Sequence, residues 1–138
     1  MAGVLRVVAA DARNRLRLNS VPAPSGPYRG LLHVHTDFSY DGHVDVATLG
    51  TMLRAEKLDF AVLTEHVEGF CEEKFADYIA QCEAHSADDL LLVPGIEYTF
   101  KVGADRIEII LIGRESFVVA EDIAGVLEHK RRHDLLAF

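Results

Sequence analysis

The chain has 138 residues, enough for one domain that buries roughly two-thirds of its unfolded surface. Its formal net charge of -8 argues against nonspecific binding to nucleic-acid phosphates, which calls for a basic surface. Met1 to Ala10 is apolar but short, is interrupted by Arg6 and lacks a basic start, so neither a signal peptide nor a membrane span is expected and the composition fits a cytoplasmic protein.

The first segment reads two ways: Val4 to Ala10 fits a strand, while Val4 to Leu18 fits a helix with alternating basic residues. Asn19 to Pro27 is rich in Pro, Ser and Gly and reads as a linker. Residues 1–27 are therefore expected to form an extension outside a domain that begins at residue 28.

Leu31 to Gly42, LLHVHTDFSYDG, is an apolar run that ends in His33 and His35, with Asp41 in a Gly-terminated loop. Side chains at i and i+2 of a strand share a face, so both imidazoles are expected to project together. The Asp41-Gly42 pair favours a turn that brings the carboxylate back over the strand end. Two imidazoles and a carboxylate suit Zn²⁺, Mn²⁺ or Fe²⁺ better than Ca²⁺ or Mg²⁺. An H-x-H pair taken alone reads more readily as two polar residues on a half-exposed strand, because so short a motif recurs by chance.

A helix is predicted over Asp45 to Lys57, where Val46, Leu49, Met52 and Leu53 make an apolar stripe. Leu58 to His66, LDFAVLTEH, is a second strand-length apolar run closing on His66. Glu72 to Ser86 carries Phe75, Ile79 and Cys82 at helical spacing. Cys71 and Cys82 fall in that one predicted helix, roughly 16 Å apart and too far for a disulfide, so reduced thiols are expected. Leu90 to Phe100 is a third apolar run, placing Glu97 just after Pro94 and Gly95, which marks a strand giving way to a loop. Val102 to Asp105 reads as a turn between two short strands. Ile123, Val126 and Leu127 make a last helical stripe before the basic run Lys130 to Arg132, and the chain ends on apolar residues that open another strand.

This alternation of strands and helices predicts a parallel α/β sheet. Three strand ends then deliver metal-capable side chains to the edge where such folds place their ligand sites.

HVHTDFSYDG, LTEH and PGIEYTF, in that order and with helix-sized gaps, resemble the motifs of the polymerase and histidinol phosphatase (PHP) family of metal-dependent phosphoesterases. The resemblance covers roughly Arg29 to Gly113. It implies metal-ligand roles for His33, His35, Asp41, His66 and Glu97, with two or three Zn, Mn or Fe ions in a complete site. It also implies a distorted barrel of about seven βα units and hydrolysis of a phosphate ester by a metal-activated hydroxide. The expected substrate is a small phosphorylated metabolite or nucleotide, and Lys101, Arg106 and Arg114 are candidate contacts to its phosphate.

Two departures from the family pattern matter. Glu65 stands where the second motif usually has Asp. Glu108 stands where many members have a ligand His, and reads equally as an oxygen ligand or as an exposed strand residue. Only four or five candidate strands are present, and the later family motifs His-Pro and Asp-x-His have no match. Residues 28–138 are therefore expected to be the N-terminal portion of an incomplete (β/α)7 barrel, with little turnover by itself and open sheet edges that invite self-association. Two alternatives stay open: a non-catalytic module whose partial site binds metal or a partner, and an amidohydrolase-like metal hydrolase, which also begins with H-x-H. His43, His85, His129 and His133 are expected to face water.

Overall fold

The computed structural model describes residues 27–138. The expectations for the first 26 residues, namely the early strand or helix and most of the linker, lie outside the described residues. Five strands, β1 (Gly30–Val34), β2 (Phe60–His66), β3 (Leu91–Val102), β4 (Asp105–Ile112) and β5 (Leu136–Ala137), form one sheet in sequence order. Three helices, α1 (Val46–Ala55), α2 (Glu72–His85) and α3 (Ile123–Arg132), interleave with them.

The strands β1, β2 and β3 are parallel, as the apolar runs separated by helices predict. β4 runs antiparallel to β3, and β5 antiparallel to β4. The predicted turn makes that reversal: Val102 pairs with Asp105, and Gly103 between them has φ +64°, a conformation that costs glycine no Cβ clash. Among the described residues the sheet is open, with β1 and β5 as its outer strands. The α/β class expected for an incomplete (β/α)7 barrel is present, with open sheet edges: five strands in simple order, β4 reversed, make a mixed sheet without closure.

Both faces of the sheet are apolar, which explains why its strands read as continuous hydrophobic runs. On one face Ala61, Leu63, Leu92, Ile96 and Leu111 pack against Val46 and Leu53 of α1, Tyr78 and Cys82 of α2 and Val126 of α3. On the other, Phe60, Val62, Leu91, Val93, Ile110 and Ile112 form a second cluster with Tyr28 and Leu136. Burial of each such aliphatic side chain contributes about 1.5–3 kcal/mol.

The helix starts follow from their caps. Asp45 accepts the Thr48 N–H at 2.7 Å and the Thr48 hydroxyl at 3.0 Å, and Asp122 accepts the Gly125 N–H at 2.8 Å. Cys71 proves to be the N-cap residue of α2 and is exposed, while Cys82 is buried against the sheet; both are free thiols. Within the layer between α2 and the sheet, the buried Tyr78 hydroxyl lies 3.0 Å from the Leu63 carbonyl and accepts the Gly95 N–H at 3.2 Å. That contact ties α2 to the two strands whose ends carry His66 and Glu97.

Candidate metal centre

The two histidines of the first motif reach the site by a different route from simple alternation. Leu31 pairs with Ala61 and Val34 with Leu63, so three steps of β1 span two of β2. The extra residue is a bulge, and within it His33 takes φ +64°. Such a backbone in a non-glycine residue costs on the order of 1–3 kcal/mol and re-aims its side chain. His35 follows β1 rather than lying in it, and the two rings stack with centroids 5.1 Å apart.

β2 supplies His66 and β3 supplies Glu97, which are register partners in the parallel ladder. Register partners share a face, so both side chains stand on the side opposite α1 and α2. The Glu97 carboxylate is buried, with Oε2 at 2.8 Å from His33 Nε2, 3.2 Å from His35 Nε2 and 3.8 Å from His66 Nδ1. Asp41 closes the other side: Oδ1 lies 3.2 Å from His35 Nδ1 and Oδ2 lies 3.2 Å from His66 Nε2. Desolvation pushes the Asp41 pKa up, but the His66 hydrogen bond and the charges of His35 and His66 together outweigh it and hold the carboxyl below its ordinary range.

The loop from Thr36 to Asp41 is held from beneath. β2 alternation sends Glu65 to the face opposite His66, where it is fully buried. Its carboxylate accepts the Thr36 N–H at 3.0 and 3.1 Å, the Thr36 hydroxyl at 2.7 Å and the Ser39 hydroxyl at 2.5 Å. Ser39 in turn accepts the His66 backbone N–H at 2.9 Å. Gly42 lets the loop close, because a Cβ there would stand 1.9 Å from the Thr36 carbonyl oxygen.

The five predicted ligand residues thus come together. Among the described residues, two sets of donor atoms lie within 4.8 Å of one another: His33, His35 and Glu97, and His35, Asp41 and His66. Glu108 joins neither. It pairs in register with Thr99, and its carboxylate is 2.7 Å from the Arg106 guanidinium; the residue opposite Glu97 on β4 is the buried, apolar Ile110. Arg106 reaches to 4.0 Å from Glu97 Oε1, on the far side of that carboxylate from the imidazoles. Lys101 is exposed and pairs in register with Arg106. Arg114 is drawn off to an ion pair with Glu83 of α2.

His43 is exposed, as expected. His129 departs from the solvated reading: its Nε2 is 2.6 Å from the Glu115 carbonyl oxygen, which ties α3 to the loop after β4. Two residues near the site escape sequence reasoning. Tyr40 stacks on His66 with ring centroids 4.7 Å apart, and nothing in its local sequence marks it. Glu65 does leave a signal, since a carboxylate inside a run as apolar as AVLTEH must find donors when buried.

No protein-family model and no curated protein matches the chain. Among solved structures it is similar to a two-domain protein from Bacteroides vulgatus containing a predicted PHP-like metal-dependent phosphoesterase. The TM-score is 0.62 and the identity 20%, over 86% of this chain and 37% of that one. The fold is shared with a PHP-like protein. This chain spans little more than a third of that protein's length. Similarity is lower to a protein from Bifidobacterium adolescentis provisionally named a metal-dependent phosphoesterase, with a TM-score of 0.47 and 23% identity over 62% of this chain and 28% of that one. An amidohydrolase from Chromobacterium violaceum, with bound sulfate and no metal, gives 0.46 and 19% over 77% and 34%.

The donor set fits a divalent cation. Metal–nitrogen and metal–oxygen bonds of about 2.0–2.2 Å place neighbouring donor atoms about 3–3.5 Å apart, which brackets most of the separations around Glu97 Oε2 and Asp41. Two carboxylates among neutral imidazoles also match the charge of such an ion. A neutral imidazole has one lone-pair nitrogen, so with a metal bound His35 could ligate in only one set, its other ring N–H being left to donate to the carboxylate of the other.

Proposed function

We propose that this chain carries the opening part of a metal-dependent phosphoesterase active site. The observation that supports it is the convergence of three imidazoles on Glu97 Oε2, with Asp41 bridging two of them, at the level where the parallel pairing of β2 with β3 ends. His33, His35, Asp41, His66 and Glu97 would hold the metal. When bound, divalent ions supply Lewis acidity toward phosphoryl oxygens and acidify the attacking water.

The chain's own groups do the rest. Glu97 and Asp41 hold the imidazole rings from two sides and so fix their orientation. The side chains of His33 and Asp41 are 40% and 47% exposed, so the site opens to solvent and admits a phosphate ester from that side. Arg106, at the rim beside Glu97, is the proposed contact to a substrate phosphoryl oxygen, because its planar fork matches that geometry. The proposed substrate is a small phosphorylated metabolite or nucleotide, and the proposed setting is the cytoplasm, which suits two free thiols.

Hydrolysis of 4-nitrophenyl phosphate and bis(4-nitrophenyl) phosphate by the complete gene product tests this reading. Turnover that requires added Mn²⁺ or Zn²⁺ and vanishes in His35→Ala is expected. A protein that binds metal yet turns over nothing across a broad phosphoester panel would instead be a metal-binding module, and preferential hydrolysis of amides or lactones would move it to the amidohydrolase class.

A further inference from the structure

Resting on the metal-centre reading, we propose that Glu65 is a positioning residue of that centre, holding the loop that carries Asp41 in register with His66. Glu65 itself touches none of the metal-capable atoms. It stands on the helix-side face of β2, one residue before His66, and is fully buried.

The path of the chain supplies the reason. From His35 the backbone crosses the end of β2, and there the Thr36 N–H, the Thr36 hydroxyl and the Ser39 hydroxyl all donate to the Glu65 carboxylate at 2.5–3.1 Å. The loop then returns to the other face and sets Asp41 Oδ2 3.2 Å from His66 Nε2. β2 is therefore gripped on both faces by one loop, with Glu65 below and His66 above. Ser39 links the two grips, since it donates to Glu65 and accepts the backbone N–H of His66 at 2.9 Å.

A carboxylate is suited to this task because, when ionised, it only accepts, and each of the neighbours named is a donor. Burying that carboxylate would cost several kcal/mol without such partners. The cost selects the one loop position that satisfies it, and the same position fixes Asp41. Neighbouring contacts act in the same direction: the Lys74 ammonium of α2 donates to the Phe38 carbonyl at 2.9 Å.

Titration of Co²⁺ into the protein, followed by affinity and by the visible spectrum of the bound ion, tests the assignment. Glu65→Gln and Ser39→Ala should each weaken Co²⁺ binding about 10- to 100-fold and alter the spectrum, as loss of an outer hydrogen-bond partner does at metal sites. Thr36→Val should act in the same direction, and it and Ser39→Ala carry the test if Glu65→Gln does not fold. Val126→Ala is the control for lost stability alone. It truncates a fully buried side chain of α3 and should leave the Co²⁺ affinity and spectrum as in the wild type. Wild-type binding by both Glu65→Gln and Ser39→Ala, or an equal loss in Val126→Ala, overturns the positioning role. A wild-type protein that takes up no Co²⁺ refutes the metal-centre reading, and this proposal with it.

Discussion

Glu97 and Arg106 meet across the β3–β4 hairpin at 4.0 Å, with Glu97 Oε1 turned to the guanidinium and Oε2 turned to the imidazoles. One buried carboxylate thereby divides the site into a nest of candidate metal ligands and a cationic rim. Arg106 is also paired with Glu108 at 2.7 Å, and its side chain is 57% exposed. Exposed ion pairs contribute only about 0–1 kcal/mol, so exchanging Glu108 for a phosphoryl oxygen would cost Arg106 little.

Arg106→Ala is accordingly expected to raise KM for a phosphoester about tenfold, close to 1.4 kcal/mol, with kcat little changed. Steady-state kinetics at two salt concentrations checks it, because an exposed charge contact weakens with salt. An unchanged KM would remove Arg106 from the substrate site.

His35 belongs to both donor sets, whereas His33 and His66 each belong to one. Its replacement by Ala should weaken divalent-metal binding more than either His33→Ala or His66→Ala. Isothermal titration with Mn²⁺ or Zn²⁺ on the three variants gives the ranking, and equal losses in all three would show that the two sets do not share His35.

Gly42→Ala should be among the most disruptive single methyl additions in the loop. Its Cβ would meet the Thr36 carbonyl oxygen at 1.9 Å and carbon at 2.4 Å, and backbone cannot swing aside as a flexible side chain does. A loss of about 1–3 kcal/mol in urea denaturation is expected from such overpacking, together with weaker metal binding. A variant as stable as the wild type would mean that the loop closes differently.

Asp45 sets an acid dependence of stability away from the metal ligands. Hydrogen bonds from the Thr48 backbone N–H and hydroxyl hold its carboxyl below the ordinary range. With the folded value below the unfolded one, its contribution is complete above the unfolded value and is lost as pH falls through the folded value. Asp45→Asn keeps a good N-cap without the titration. Its urea midpoint should therefore fall less steeply with acid than that of the wild type, and identical acid limbs would contradict the cap's role.

Much of the fold was legible because burial on both faces leaves a strong pattern. The run ending at His66 became β2, the stripes of Val46 to Leu53 and Phe75 to Cys82 became helix faces, and the Gly103 turn became a hairpin, but Pro94 and Gly95 do not end the third strand: β3 runs on through Glu97 to Val102, because β4 pairs with it there. The barrel was not legible in the same way. It came from the family resemblance, and the described strands form an open sheet, as a part of a barrel leaves. The bulge at His33 also escaped, because strand alternation assumes one residue per ladder step and only the pairing of β1 with β2 reveals the extra one.

The sequence by itself determined which metal-capable residues stand in or just after three apolar runs, His33 and His35, His66, and Glu97, because such runs are local patterns that chain order preserves. Only the tertiary structure decided what those residues do together. His33 and Glu97 are 64 residues apart yet lie 2.8 Å from one another, and Glu108 is excluded because β4 presents Ile110 at the level of Glu97. Glu65 acquires its place from Thr36 and Ser39 in the same way. Distances between strand ends depend on register, bulges and loop closure, which are set by packing across the sheet rather than by any local run of residues.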